Sequence, residues 1–102
     1  MDQAELMGFV ADVFERLGIV YAVTGSHAGF AYSEQRFTND IDVVARITPD
    51  ELGALLAAFP SDDFYVSDIA AQHAVAHGGQ FNIIHPTSGL KVDVIVPLDA
   101  DW

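Results

Sequence analysis

Two carboxylates stand one residue apart inside an apolar, β-branched run, Asp40-Ile41-Asp42-Val43-Val44. A strand suits such a run. Side chains alternate along it, so Asp40 and Asp42 share one face while Ile41 and Val43 enter the other. The pair therefore needs either water or a cation on its face. Paired carboxylates repel, and in water-poor surroundings one keeps its proton unless water or a cation intervenes. A hard divalent ion fits that gap, since Mg²⁺ takes oxygen ligands at about 2.0–2.1 Å and keeps waters or phosphate oxygens in its other positions. Alone, an Asp-x-Asp pair is weakly diagnostic, because other phosphate- and sugar-transfer folds carry it too, and so do plain loops.

The rest of the chain supplies elements to pack against this strand. Leu6, Phe9, Val10, Val13, Phe14 and Leu17 repeat at three and four residues, which predicts a helix over 2–17 stopped by Gly18. A buried strand over 19–24 empties into a tight turn at Gly25-Ser26, and a short helix follows over 26–32. The polar segment 33–39 leads into the strand over 40–46. Thr48-Pro49-Asp50-Glu51 has the pattern of a capping box with proline in the first turn, opening a helix that Pro60 ends. An edge strand over 64–66 precedes a helix capped by Ser67-Asp68 that runs to about His77 and breaks at Gly78-Gly79. Strands over 80–85 and 90–96, joined by Pro-Thr-Ser-Gly, make an antiparallel hairpin. The expected fold class is α/β (α+β): one mixed sheet with packed helices and a C-terminal β-hairpin.

A chain of 102 residues fits one domain, 1–102. No apolar run approaches the roughly 20 residues of a membrane span, and the start lacks the basic and apolar segments of a signal peptide, so a cytoplasmic location is expected. There is no cysteine, which removes disulfides and thiolate metal sites. Fifteen acidic residues against four basic ones give a formal charge of −11, which opposes a basic stripe for nucleic acid and suits either a cation-loaded centre or a solvated acidic surface.

Two further features bear on the acid pair. Gly25-Ser26 lies between a strand and a helix start, where exposed backbone N–H groups favour an anion, although turn glycine and helix cap are the plainer roles for the two. Asp93 is the lone acid in Val92-Asp93-Val94-Ile95-Val96. It needs a partner, either Lys91 on the same face or the other two acids on an adjacent strand.

Together these features resemble the polymerase-β-type nucleotidyltransferase superfamily: a Gly-Ser turn after a strand, about a dozen residues, a hydrophobic-Asp-hydrophobic-Asp strand, and a third acid in a later strand. Here thirteen residues, 27–39, separate Gly25-Ser26 from Asp40-Ile41-Asp42, and Val92-Asp93-Val94 follows. More narrowly, Arg36-Phe37-Thr38-Asn39-Asp40-Ile41-Asp42 looks like the Arg-x-Thr-x-Asp-hydrophobic-Asp form of the abortive-infection-type nucleotidyltransferases, many of which belong to toxin–antitoxin pairs. The resemblance covers about 19–96.

What it implies is a minimal nucleotidyltransferase fold and transfer of a nucleoside monophosphate from a nucleoside triphosphate to a hydroxyl acceptor, which is a protein, an RNA or a small molecule. Asp40, Asp42 and Asp93 would be the catalytic and metal-holding acids for two Mg²⁺ ions, with Mn²⁺ as the substitute. Gly25, Ser26, Arg36 and Thr38 would meet the nucleotide. Members of this type usually continue past the third acid into a helical region, whereas this chain ends six residues after Val96. The expectation is therefore that a second copy or a cognate partner chain completes the cleft, or that the protein is a truncated, minimal or regulatory version. The alternative reading is a non-catalytic nucleotide-binding or protein-interaction module, antitoxin-like, on the same fold.

Other residues have plainer roles. Tyr21, Phe30, Phe59, Phe64 and Phe81 are expected in the core. His27 follows the turn as an exposed first-turn residue, and His85 ends a strand as a structural group. His73 and His77 have the spacing of a bis-histidine metal pair, but neither the glutamate of a zinc-protease motif nor a third ligand accompanies them. Trp102 either covers an interface or frays.

Overall fold

The computed structural model describes residues 2–24 and 40–97. Helix α1 (Gln3–Leu17) opens on a reciprocal capping box: Asp2 Oδ1 accepts from the Glu5 N–H at 2.8 Å, and Glu5 Oε1 accepts from the Asp2 N–H at 2.8 Å. It closes at Gly18, whose φ of 74° is the left-handed conformation that needs no Cβ. Strand β1 (Val20–Thr24) follows at once. Strand β2 (Asp40–Arg46) leads to α2 (Pro49–Ala57), where the Glu51 carboxylate accepts from the Thr48 N–H at 2.9 Å. Then come β3 (Tyr65–Val66), α3 (Asp68–His77), β4 (Gly79–His85) and β5 (Leu90–Val96).

The strands form one mixed sheet in the order β1-β2-β5-β4-β3. Only β2 and β5 run parallel; the other neighbouring pairs are antiparallel. The hairpin between β4 and β5 closes over residues 86–89, with Gly89 at φ 77° and its N–H donating to the His85 carbonyl at 3.0 Å. The α+β class, the mixed sheet and the C-terminal hairpin are thus as the sequence predicts. The expected helix over 26–32 and the loop over 33–39 lie outside the described residues.

One face of the sheet is dry. Ile41, Val43 and Ala45 of β2, Val92, Val94 and Val96 of β5, and Phe81 and Ile83 of β4 are buried with Leu6, Val10, Val13 and Phe14 of α1 and Leu52 and Leu55 of α2. Phe9, Phe59 and Phe64 extend this core as a three-ring cluster, with centroids 5.3–5.4 Å apart in each pair. Among the aromatics expected inside, Phe59, Phe64 and Phe81 are buried. Tyr21 is half-buried, packing on Phe14 while its hydroxyl donates to Glu15 at 2.8 Å, and Phe30 lies outside the described residues. The strict alternation of β2 and β5 sends the acids to the other face.

Candidate functional site

The site is built from the register of three neighbouring strands. Asp42 and Asp93 are direct partners across the parallel β2–β5 pair. Strands in a sheet lie about 4.8 Å apart, so their backbones hold the two carboxylates as neighbours on the same face. Asp40 stands two residues before Asp42 on that face, opposite Lys91. On the far side of Asp93, its β4 partner is Asn82. Thr24, the last described residue of β1, is the register partner of Asp42.

The side chains elaborate this row. Asn82 Nδ2 donates to Asp93 Oδ1. Lys91 Nζ lies 3.9 Å from Asp40 Oδ1. For Asp93 the sequence reading offers either Lys91 or the other two acids on an adjacent strand, and the register sets Asp42 directly opposite it. In the structure Lys91 makes its ion pair with Asp40, and the hydrogen-bond partner of Asp93 is Asn82. Residues two apart on one strand are separated by nearly 7 Å, whereas cross-strand neighbours are about 4.8 Å apart, so the register decides the pairing. Both members of the Lys91–Asp40 pair are about two-fifths exposed (41 and 42%), which limits its stabilisation to about 1 kcal/mol or less.

The Asp93 carboxyl is pushed above its ordinary value of 3.8, first by its partial burial and then by the negative charge of Asp40 and, less, of Asp42; Lys91 and the Asn82 hydrogen bond pull it back. A group whose folded-state pKa is raised favours folding when it is protonated. That contribution is complete below pH 3.8 and is lost as pH rises through the folded-state value. Asp93→Asn, which carries no charge and keeps an acceptor for Asn82, should therefore unfold at higher urea than the wild type at pH 7 in chelator-treated buffer. The gap should shrink as the pH falls toward 4. A lower midpoint for the variant at pH 7 would mean that the fold prefers the ionised acid.

The donors are chemically those of a hard cation: three carboxylates on one face, with Asp93 under electrostatic pressure from the other two. The chain's residues fit such an ion in type and in placement along the strands. Among the described residues, no three His, Asp or Glu side chains converge as a finished metal cage. Asp40 leans to Lys91 and Asp93 to Asn82, so the acids share a face without sharing a focus.

Asn82 is the residue that sequence reasoning missed. Its only signal there is a polar side chain at an alternating position of a strand, which any solvated face provides. Gly25, Ser26, Arg36 and Thr38, the expected nucleotide contacts, lie outside the described residues, as do His27 and Trp102. His85 is structural, as expected: its Nδ1 lies 2.8 Å from Ser88 Oγ within the turn, and its ring meets Phe64 edge-on. No helix among the described residues is long and apolar enough to cross a membrane. Comparison of the chain with family models, with curated proteins and with solved structures finds no match in any of the three.

Proposed function

We propose that this protein is a Mg²⁺-dependent nucleotidyltransferase, moving a nucleoside monophosphate from a nucleoside triphosphate to a hydroxyl acceptor. The observation that carries the reading is the side-by-side register of Asp42 and Asp93 on the face that also bears Asp40. Three acids drawn from two strands onto one open face answer the motif that the sequence resembles. A local Asp-x-Asp loop would have no reason to meet Asp93.

In this reading Asp40, Asp42 and Asp93 would hold the cations, and Asp93 would receive the proton of the acceptor hydroxyl. Bound Mg²⁺ would neutralise the triphosphate and lower the cost of developing negative charge on the leaving pyrophosphate. Asn82 keeps the Asp93 carboxylate oriented, and Lys91 adds positive charge beside Asp40. Gly25 and Ser26 follow Thr24 directly in the chain, and Thr24 pairs with Asp42, which fits a phosphate-facing role for that turn. Arg36 and Thr38 are the further nucleotide contacts of this reading. A second copy or a cognate partner chain, as in a toxin–antitoxin pair, would complete the acceptor side, and a cytoplasmic location goes with such a role.

The rival reading, a non-catalytic antitoxin-like module, draws on the same polar partners. Lys91 and Asn82 already answer Asp40 and Asp93 without a cation. Thermal unfolding with Mg²⁺ and each nucleoside triphosphate separates the catalytic reading from a protein-interaction module that binds no nucleotide. A ligand that binds only the native state stabilises it by about 2.7 kcal/mol at a hundredfold excess over Kd. The catalytic reading expects a rise in Tm that needs metal and nucleotide together. A flat response to all nucleotides favours the module.

A further inference from the structure

Helix α3 carries His73 and His77 four residues apart, both exposed on the surface away from the core. Their ring centroids lie 4.7 Å apart, with planes tilted by 47°. That separation has a meaning for chelation. With metal–nitrogen bonds of about 2.0–2.1 Å, an imidazole centroid sits roughly 3.2 Å from the metal, so two rings on one ion stand about 4.5 Å apart at a right angle and about 5.2 Å apart at a tetrahedral one. The observed spacing lies between these, within the range that two rings on one ion require. His77 is the last residue of α3, where the negative end of the helix dipole favours a cation, and the formal charge of −11 attracts one to the surface.

From this geometry we infer that His73 and His77 form a cation site of their own, separate from the three acids, which takes a borderline divalent transition metal of the Zn²⁺, Cu²⁺ or Ni²⁺ class. Imidazole nitrogen selects these ions, as carboxylate oxygen selects Mg²⁺ and Mn²⁺. The residue one turn earlier on the same stripe is Ile69, which brings no ligand, so water fills the remaining positions. The ion clips two consecutive turns at the C-terminal end of α3, just before Gly78 and β4.

The test is titration of the full chain with Cu²⁺ alone, in buffer containing excess Mg²⁺ to occupy the carboxylates, followed by electron paramagnetic resonance. The wild type should bind one equivalent with two imidazole nitrogens in its spectrum. His73→Gln and His77→Gln should each weaken that binding by about tenfold or more and leave at most one imidazole signal. His27→Gln and His85→Gln should leave both unchanged. Helical content by circular dichroism should be the same in all, since the substituted α3 positions are exposed and glutamine is a good helix former. Affinities for His73→Gln and His77→Gln within about twofold of the wild type, or an unaltered nitrogen signature, overturn the site. Loss of binding in the His27 or His85 variant alone would also overturn it.

Discussion

On the proposed nucleotidyltransferase reading, Asp42→Asn is expected to lower nucleotide transfer by about a thousandfold, with the fold intact. A bound metal ion contributes several kcal/mol of transition-state stabilisation, and about 4 kcal/mol corresponds to roughly three powers of ten in rate. The amide keeps the size of the side chain but removes the charge that would bind the ion. Asp42 is exposed, so its replacement removes no core contact. The measurement is transfer of label from each nucleoside triphosphate to candidate acceptors, with Mg²⁺ and then Mn²⁺. Equal labelling by wild type and variant would sink the catalytic claim. So would an absence of labelling by the wild type with every nucleotide and both ions across a broad acceptor screen. Asp93→Asn supplies a second readout: transfer should fall while stability at pH 7 rises, a combination that a purely structural acid would not produce.

Phe81→Ala is expected to lower stability by about 3–5 kcal/mol. Phe81 is 2% exposed, sits on β4 opposite Val94, and is among the largest fully buried side chains. Its removal leaves a cavity where the hairpin meets the helices, and close-packed surroundings relax only in part. Against a net stability of order 5–15 kcal/mol for a domain of this size, that is enough to populate the unfolded state at moderate temperature. Urea unfolding followed by circular dichroism gives the figure, and Phe81→Leu should cost less than half as much. A loss below about 1 kcal/mol for the alanine variant would mean that β4 packs less tightly than its burial indicates. Because Asn82 is the next residue, the alanine variant should also weaken transfer by loosening the partner of Asp93, whereas Phe81→Leu should retain most of it.

The local elements were legible because their signals are local. The period of Leu6, Val10, Val13 and Phe14 identifies the buried side of α1, and Thr48 with Glu51 marks where α2 starts. The alternation in β2 and β5 places Asp40, Asp42 and Asp93 off the core face before any neighbour is known. The hydrogen-bond partner of Asp93 was not legible. Period two puts Lys91 on its face, but which strand lies beside it depends on the crossover from β2 to β5 and on the return of β4. Asn82 comes from that return, some eleven residues away in sequence.

The acid pair inside an apolar strand determined by itself that Asp40 and Asp42 share one face and Ile41 and Val43 the other, because side chains alternate along a strand. The same pattern, with the capped helices around it, determined the α+β class. Only the tertiary structure decided that β5 runs parallel beside β2 in the register that sets Asp93 against Asp42, and that Asn82 and Lys91 divide the acids between them. Strand neighbours are chosen by how the dry faces pack on the helices, a sum over the whole core. No single stretch of sequence carries that sum.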